Sequence, residues 1–403
     1  MKPIDRQAPA GALFELDIEK LVYGGDGLGR HEGKVVFVPY TVPGDRVEVR
    51  PVERRRSYTR ASLVRMVRPG PGRVLPPCPH FGRCGGCQWQ HMEYELQCAA
   101  KRMILEEVFH HHFPETRELR ISMKACPAPF GYRSRARVQL RGNSAKAIAG
   151  FYRFRSRDVE DVEACPLLRP ALNEALRSIR GDQVDGRFGP DATEIDLACT
   201  EDGNWACAEA GRPSETILLR QVGEYTYALT ASVFFQANGF LLSDLVEAAL
   251  GAAAGGEAAL DLFSGVGLFS LPMAARFRGV IAVEGNTEAS RLCARNASGA
   301  GLDNIDAVCA DVLQWSEAVG SVAAPAFDCV LLDPPRTGAG PAVMRRLLEW
   351  APENIVYVSC DPQTQVRDLS VLSARDYRID SIDGLDMFPQ TYHMETVVRL
   401  KRR

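Results

Sequence analysis

The chain has 403 residues, more than one ordinary domain needs, so we expect about two or three domains. A composition of 46% hydrophobic and 25% charged residues is typical of a globular protein, and a net charge of −3 excludes a chain that is basic throughout. No window of about 20 residues is apolar enough to span a bilayer, and the first residues contain no signal core. We therefore expect a cytoplasmic protein with no membrane association.

Residues 1–72 predict a small β-barrel. Short apolar runs, such as residues 34–40, are separated by glycine-containing turns at close spacing. Between positions 46 and 73 there are nine arginines and two glutamates. These arginines either form a solvated strand face or track the phosphates of a nucleic acid, and we favour the second interpretation.

Residues 73–230 predict a central α+β domain that begins with a cysteine-rich loop and a helix. Its second half interleaves basic and aromatic residues, with no acidic residue between positions 130 and 157. The basic residues are Arg133, Arg135, Arg137, Arg141, Lys146, Arg153, Arg155 and Arg157. This pattern suits a strand of unpaired bases, because guanidinium groups meet phosphates and aromatic rings stack on bases. A sheet with a solvated basic face and an aromatic core is the alternative.

Residues 231–403 alternate short apolar runs with helical stretches, which predicts an α/β domain with a doubly wound, mainly parallel sheet. In its first strand–helix turn, Asp261, Phe263, Gly265 and Gly267 occupy alternate positions. The glycines allow the backbone to approach a ligand closely, and the helix that follows presents its N-terminus to that ligand. The turn therefore predicts a nucleotide-cofactor loop.

An acidic residue follows or ends each of four successive predicted strands. These residues are Asp261, Glu284, Asp311 and Asp333. Open α/β sheets bind ligands at the carboxyl ends of their strands, so the acids predict a crevice rich in carboxylates. An NAD site is the competing interpretation, but it usually carries a Gly-x-Gly-x-x-Gly turn. Carboxylates instead favour a cationic cofactor such as S-adenosylmethionine.

Cys360 follows a predicted strand and has the position of a nucleophile. The turn that begins at Asp333 is similar to that of methyltransferases acting on exocyclic amines, but Arg336 replaces the aromatic residue usual there. This difference favours methylation of carbon: a thiolate that adds to carbon 6 of uracil makes carbon 5 nucleophilic. A base must then remove the hydrogen from carbon 5. Glu395 is the first candidate for that base and His393 the second.

A second group of cysteines has the spacing of a metal site. Cys78, Cys84 and Cys87 lie in one loop, and Cys165 precedes a proline far downstream. Structural zinc and a [4Fe-4S] cluster both fit four such thiolates. Two further cysteines, Cys98 and Cys126, are rivals for the fourth position.

Together these motifs resemble the RNA uracil-5-methyltransferases of the 23S rRNA and tRNA type. The run Ser359-Cys360-Asp361-Pro362 is similar to the family's nucleophile motif, and residues 386–395 are similar to its proton-acceptor segment. The resemblance implies a C-terminal Rossmann-like methyltransferase domain with a mainly parallel seven-stranded sheet. It also implies that residues 21–49 belong to a TRAM barrel, which binds RNA.

The resemblance assigns roles to individual residues. It makes Cys360 the nucleophile and Glu395 the base. It implies S-adenosylmethionine contacts at Gln236, Phe263, Glu284, Asp311 and Asp333. It favours a [4Fe-4S] cluster over zinc on Cys78, Cys84, Cys87 and Cys165. Leu268 departs from the family pattern, because several relatives carry asparagine there.

We therefore predict an S-adenosylmethionine-dependent enzyme that methylates carbon 5 of a uridine in RNA, with 23S rRNA as the expected substrate. The same reaction on the T-loop of tRNA is the nearest alternative. A non-catalytic RNA-binding protein with a structural metal is an alternative of another class. We expect the protein to act as a monomer.

Overall fold

The computed structural model describes residues 12–142, 148–184, 188, 192–251, 255–320, 326–372 and 376–403. Lys146, one of the basic residues named above, lies outside these ranges. Within the described residues no helix combines the length and the apolar character needed to cross a membrane.

The N-terminal region forms the predicted closed barrel, with strand order β1-β2-β3-β5-β4. The strands are β1 Phe14–Leu21, β2 Gly27–His31, β3 Lys34–Val38, β4 Arg46–Arg54 and β5 Tyr58–Arg68. Alternate residues such as Leu16, Val36 and Val47 point inward and are almost completely buried. The barrel therefore has its own small apolar core.

The central region forms a five-stranded antiparallel sheet, β11-β10-β7-β8-β9, with one helix packed on it. Its elements are β7 Arg135–Arg141, β8 Ile148–Tyr152, β9 Val159–Asp161, α2 Pro170–Val184, β10 Glu194–Cys199 and β11 Trp205–Glu209. A hairpin of β12 Leu218–Val222 and β13 Tyr225–Leu229 follows. Helix α2 contributes Leu172, Leu176 and Ile179 to the core under the sheet.

The C-terminal region is the predicted doubly wound domain. Its sheet has the order β16-β15-β14-β17-β18-β20-β19-β6, and its first five strands are parallel. The elements are α3 Leu242–Leu250, β14 Gly256–Leu262, α4 Ser270–Ala274, β15 Phe277–Glu284, α5 Thr287–Gly299, β16 Ile305–Cys309, α6 Val312–Gly320, β17 Cys329–Leu332, α7 Gly340–Trp350, β18 Asn354–Ser359, α8 Pro362–Leu369, β19 Tyr377–Leu385 and β20 Glu395–Arg402. Fully buried residues such as Leu260, Val330 and Ile355 explain why the parallel strands read as continuous apolar runs.

The sheet has eight strands where seven were expected, because the chain before residue 125 contributes one. Strand β6 (Ser122–Lys124) pairs in parallel with the end of β19. Helix α1 (Tyr94–His112) precedes it and packs against both β6 and α8. Part of the predicted central region is thus built into the C-terminal sheet.

A buried ion pair joins α1 to residues 386–394, hereafter the 386–394 segment. The Lys101 ammonium lies 2.5 Å from an Asp386 carboxylate oxygen, and both side chains are fully buried. Lys101 also donates a hydrogen bond of 3.1 Å to the carbonyl of Phe388. One turn earlier on α1, the Gln97 side chain exchanges two hydrogen bonds with Gln390. The loop that leads to Glu395 is therefore fixed by α1.

We expect Lys101→Ala to destabilise the fold strongly, because it leaves the Asp386 carboxylate buried without its cation. Loss of one partner of a buried pair costs about 3–5 kcal/mol. The free energy of unfolding should be measured by urea titration followed by tryptophan fluorescence. Lys20→Ala is the matched control: its pair with Glu107 also involves α1 but is exposed to solvent, and its loss should cost about 1 kcal/mol or less. Equal losses in the two variants would contradict the structural role of the buried pair.

Candidate active site

The carboxyl ends of the parallel strands meet at one edge of the sheet. Leu262 of β14 pairs with Leu332 of β17, which pairs with Tyr357 of β18. The residues that follow these strands are therefore neighbours. Asp333 follows β17 and Cys360 follows β18, so the acidic crevice and the nucleophile candidate share this edge.

Three carboxylates crowd this edge. Asp261 is fully buried, and burial raises its pKa to about 7, with further contributions from the nearby charges of Asp333 and Glu284. One Asp261 oxygen accepts a hydrogen bond of 2.5 Å from Ser270, and the other has no hydrogen-bond partner among the described residues. Burial also raises the pKa of Asp333 to about 7. This group of carboxylates suits a cationic ligand, because a nearby cation would favour their ionised forms.

The cofactor loop is held to the second strand by Glu284. Its carboxylate accepts hydrogen bonds from the backbone N–H of Gly265 at 2.9 Å and of Asn286 at 2.6 Å. Gly267 has a φ of +92°, and a β-carbon there would lie 2.9 Å from the sulfur of Cys293. Phe263 also has a positive φ, +63°, which is unusual for an aromatic residue. The loop is thus tightly constrained, with Phe263 at its start.

The remaining positions predicted to contact the cofactor have different surroundings. Gln236 is buried, and its side-chain nitrogen lies 3.4 Å from an Asp333 oxygen. Asp311 is exposed beyond β16 and caps α6 by accepting a hydrogen bond from the N–H of Gln314. Leu268 is buried, and its carbonyl accepts a hydrogen bond from Tyr227. Position 268 in this chain therefore belongs to the apolar core.

Cys360 lies between Asp333 and Glu395. Strand β18 pairs with β20 so that Ser359 faces Thr396, which puts Glu395 beside the residue after Ser359. Burial and the neighbouring Glu395 charge raise the pKa of the Cys360 thiol to about 12, and Arg336 opposes this rise. The thiol is therefore protonated at neutral pH, and Arg336 is the cation that favours its ionised form.

Burial shifts the pKa values of the two candidate bases in opposite directions. Glu395 is only 2% exposed, and burial, together with the Asp333 charge, raises its pKa well above its usual range. For His393, burial and the nearby cation of Arg336 lower the pKa to about 3. The His393 ring packs against Tyr392, with 4.0 Å between ring centroids. Glu395 is thus the stronger base of the two once it is ionised.

The four cysteines of the predicted metal site line a common cavity. This cavity, of about 40 Å³, is bounded by Cys78, Cys84, Cys87 and Cys165 and by mainly apolar residues, with His80, Gln90 and Arg133 also in its wall. Burial raises the pKa of Cys84 to about 11 and that of Cys87 to about 12. No group of three or more metal-binding side chains in the described part of the chain already has the spacing of an ion site.

The two rival cysteines lie elsewhere. The Cys98 sulfur lies 3.9 Å from an Asp386 oxygen, and the Cys126 sulfur lies 3.3 Å from the side-chain nitrogen of Asn238. Neither cysteine lines the cavity. The cavity therefore favours Cys165 as the fourth member of the set.

A groove of about 1280 Å³ runs between the barrel and the central sheet and reaches Tyr392 and His393. Its basic side chains include Arg60, Arg133, Arg137, Arg153 and Arg155. The groove therefore connects the barrel and the central sheet to Tyr392 and His393, which precede Glu395 in the chain.

Several other arginines of the two arginine-rich stretches, residues 46–73 and 133–157, form ion pairs or hydrogen bonds within the protein. Arg73 pairs with the fully buried Asp45 at 2.8 Å, and Arg46 pairs with Glu15 at 2.9 Å. Arg135 donates hydrogen bonds to the carbonyls of residues 230 and 231. The basic runs therefore overstate the charge that is available to a ligand.

Two residues of the β1–β2 turn lie at the active-site end of the groove, although the sequence marks them only as part of a turn. Asp26 is buried and accepts hydrogen bonds from Arg60 at 2.9 Å and from Arg155 at 3.0 Å. Tyr23 packs edge-on against Tyr392, with 5.6 Å between ring centroids. The barrel thus reaches both the central sheet and the C-terminal domain.

Comparison with known proteins gives consistent results over nearly the whole chain. Residues 215–403 match the family model described as tRNA (Uracil-5-)-methyltransferase, and residues 10–64 match the TRAM domain. A protein of Pectobacterium atrosepticum named 23S rRNA (uracil(1939)-C(5))-methyltransferase RlmD is 34% identical over 97% of this chain and 94% of its own length. A protein of the same name from Alkalilimnicola ehrlichii is 34% identical over 96% of both chains.

A solved structure has the same overall fold. The Pyrococcus abyssi tRNA (uracil-54, C5)-methyltransferase, in complex with S-adenosyl-L-homocysteine, superposes with a TM-score of 0.74 and 26% sequence identity. The match covers 96% of this chain and all of the other. The barrel, the central sheet and the C-terminal sheet therefore recur together in that protein.

We expect the affinity for S-adenosylmethionine to rise from about pH 6 to about pH 8, because a cationic ligand prefers ionised Asp261 and Asp333, whose pKa values are about 7 in the free protein. The same raised pKa values mean that these groups weaken the unliganded fold as pH rises from about 4 to about 7. Calorimetric titration in buffers of different ionisation enthalpy should detect proton release on binding. S-adenosylhomocysteine, which lacks the sulfonium charge, should show a shallower pH dependence. An affinity for S-adenosylmethionine that does not change with pH would contradict this.

Proposed function

Because the chain belongs to the S-adenosylmethionine-dependent RNA uracil-5-methyltransferase family, we propose that it methylates carbon 5 of a uridine in 23S rRNA through a covalent adduct of Cys360. The family expected from the motifs is thereby confirmed. The observation that carries the mechanism is the position of Cys360 at the end of β18, between Asp333 and Glu395.

We propose that the crevice at the strand ends holds the cofactor, which supplies the electrophilic methyl group. Glu284 would bind the ribose hydroxyls and Asp311 the adenine, because they follow adjacent strands at increasing distance from Cys360. Phe263 would pack against the cofactor from the constrained loop. Gln236 and Asp333 lie within 3.4 Å of each other and would flank the reacting end.

The residues around Cys360 would carry the reaction. Arg336 favours the thiolate, which adds to carbon 6 of the uracil and places negative charge on carbon 5 and the carbonyl oxygen. Carbon 5 takes the methyl group. Glu395 then removes the proton from carbon 5, and the electrons of that bond expel the thiolate and restore the ring. Burial makes Glu395 a strong base and also keeps bulk water from competing for the adduct.

We propose that the groove binds RNA and presents the target base unstacked. Asp333 and Arg336 would hold that base at the crevice. Flipping a base out of its stack costs roughly a few kcal/mol, which phosphate contacts with Arg133, Arg153 and Arg155 would offset.

The substrate RNA is proposed from the curated relatives, which are named for 23S rRNA. The T-loop of tRNA is the second candidate, since the solved structure of similar fold is named for uracil 54 of tRNA. Sequencing of 5-methyluridine in total RNA from a strain lacking the gene would decide between them. Loss of the modification from tRNA with intact 23S rRNA would overturn our choice.

We expect the protein to form a covalent adduct with RNA that contains 5-fluorouridine at the target position, because fluorine at carbon 5 cannot leave as a cation in the base-catalysed step. Denaturing gel electrophoresis should show the adduct with the wild type and none with Cys360→Ala. Cys309→Ala, which changes an exposed cysteine, is the control and should behave as wild type. Absence of both adduct and methyl transfer in the wild type would favour a non-catalytic RNA-binding protein.

Glu395→Gln should methylate carbon 5 but release the product slowly. Loss of a general base typically lowers a rate by about 10²–10⁴-fold. The adduct with unmodified RNA should therefore accumulate in this variant during single-turnover assays. His393→Gln is the comparison for the rival base. Normal turnover by Glu395→Gln would remove Glu395 from this role.

We further propose that Cys78, Cys84, Cys87 and Cys165 hold a [4Fe-4S] cluster. Four thiols around one apolar cavity are the donor set that such a cluster needs, and the loop that carries three of them would adjust on binding. The cluster would tie this loop to the central domain. Zinc is the alternative that fits the same four sulfurs.

Protein purified without oxygen should be brown and contain iron and sulfide, and Cys84→Ser should lose both. Cys126→Ser tests the rival ligand and should retain them. Iron, sulfide and zinc contents should be measured together with visible absorbance. Colourless protein with stoichiometric zinc would overturn the cluster in favour of a zinc site.

A further inference from the structure

Helix α8 begins two residues after Cys360 and carries a completely buried aspartate, Asp368. One oxygen of the Asp368 carboxylate accepts hydrogen bonds from the Tyr357 hydroxyl at 2.8 Å and from the N–H of Gly340 at 3.2 Å. The other oxygen accepts two hydrogen bonds from the Arg367 guanidinium, at 2.7 and 3.0 Å. Asp368 therefore joins α8 both to strand β18 and to the loop that follows β17.

That loop, residues 334–340, is hereafter the 334–340 loop, and it is bound to α8 and β18 through its backbone. Arg367 donates a hydrogen bond of 2.7 Å to the carbonyl of Thr337. The Tyr357 hydroxyl accepts a hydrogen bond of 3.1 Å from the N–H of Ala339. Together with the hydrogen bond from its last residue, these contacts hold the second half of the loop in place.

The loop approaches Asp368 most closely at Gly338. This residue has a φ of +81°, a conformation that favours glycine, and a β-carbon there would collide with the Asp368 carboxylate and with the Arg367 guanidinium. The N–H of Gly338 also donates a hydrogen bond of 2.8 Å to the carbonyl of Pro335, which closes a turn. Arg336 is the residue that follows Pro335 in this turn, so its backbone is fixed by the same contacts.

The turn that holds Arg336 lies at the same edge of the sheet as Cys360. Leu332, the last residue of β17, pairs in parallel with Tyr357 of β18, so the segments that follow the two strands are neighbours. Arg336 is the cation that opposes the rise in the pKa of the Cys360 thiol. The position of this one side chain therefore decides how much support the thiolate receives.

We propose that Asp368 is a positioning residue that holds the 334–340 loop in the conformation that places Arg336 beside Cys360. This inference rests on the proposed covalent mechanism. Because Asp368 is completely buried, it acts without touching the uracil or the cofactor. Arranging the arginine in advance removes the need to order a long, flexible side chain during the reaction.

Asp368→Asn tests the proposal, because the amide keeps the shape of the carboxylate but removes its charge and one of its two acceptor oxygens. With saturating RNA and S-adenosylmethionine, the rate of adduct formation with 5-fluorouridine RNA should fall about tenfold or more. The affinity for S-adenosylhomocysteine should stay within about twofold of the wild-type value, because Asp333 is held independently of Asp368. The N–H of Asp333 donates a hydrogen bond of 3.3 Å to the carbonyl of Leu262.

Asp45→Asn is the matched control for the loss of a buried carboxylate. Asp45 is also completely buried, and it accepts hydrogen bonds from Arg73 at 2.8 Å and from the N–H groups of Val42 at 2.7 Å and Gly70 at 2.8 Å. It lies in the barrel, away from the strand ends. This variant should lower the free energy of unfolding as Asp368→Asn does, but it should leave the rate of adduct formation at saturating RNA unchanged.

Two further measurements show whether the effect passes through the loop and Arg336. In a double-mutant cycle with Arg336→Gln, the loss of rate caused by Asp368→Asn should be much smaller, because the side chain that Asp368 positions is already absent. In the protein without RNA, the amide hydrogens of Ala339 and Gly340 should exchange faster in Asp368→Asn than in the wild type. Tyr357→Phe, which keeps the ring and removes the hydroxyl, should slow adduct formation in the same way and carries the test if Asp368→Asn does not fold.

A wild-type rate of adduct formation in these variants would overturn the proposal. Equal losses of rate and of S-adenosylhomocysteine affinity would overturn it in favour of a general disturbance of the site, and additive losses in the cycle would show that Asp368 does not act through Arg336. If the wild type forms no adduct, the covalent mechanism fails. Amide exchange is independent of that mechanism, and unchanged exchange at residues 339 and 340 would by itself show that Asp368 does not restrain the loop.

Discussion

The fully buried ion pair between Lys101 and Asp386 is the interaction on which the active site depends. A pair without access to water cannot open cheaply, since either charge alone would remain in a low-dielectric core. It fixes the start of the 386–394 segment, and Gln97 fixes the middle of the segment through Gln390. Tyr132 of the central region adds a hydrogen bond of 3.1 Å to the carbonyl of residue 389. Tyr23 of the barrel packs against Tyr392, so all three regions of the chain meet at the loop that precedes Glu395.

In the protein without ligands, the surroundings of the site disfavour the ionised forms of its carboxylates and of its thiol. Burial raises the pKa values of Asp261, Asp333 and Glu395, and the charges of Asp333 and Glu395 also disfavour the Cys360 thiolate. A cationic cofactor bound at this edge would favour the ionised carboxylates. In the free protein the pKa of the Cys360 thiol is raised to about 12, so the thiol is protonated at neutral pH.

The sequence predicts those features that follow from local pattern. The strand ends, and hence the neighbourhood of Asp333 and Cys360, follow from apolar runs of regular spacing. Features that depend on partners far away in the sequence cannot be predicted in this way. Nothing near Ser122–Lys124 marks it as an edge strand of the C-terminal sheet, because its partner lies about 260 residues later. The arginines at positions 46–73 and 133–157 look alike in sequence, yet Arg73 is paired with the buried Asp45 away from the groove, whereas Arg133 lines the groove.

The glycine at position 25 limits how far the barrel can be treated as a module. Small RNA-binding domains are often imagined as interchangeable attachments that could be exchanged between enzymes to redirect them. A β-carbon at Gly25, in the β1–β2 turn, would lie 3.0 Å from a carbon of the Tyr392 ring, so this turn and the 386–394 segment pack tightly together. A chimaeric protein with an exchanged barrel would need both this turn and the 386–394 segment that it contacts. The two are best regarded as one structural unit formed by residues that lie far apart in the sequence.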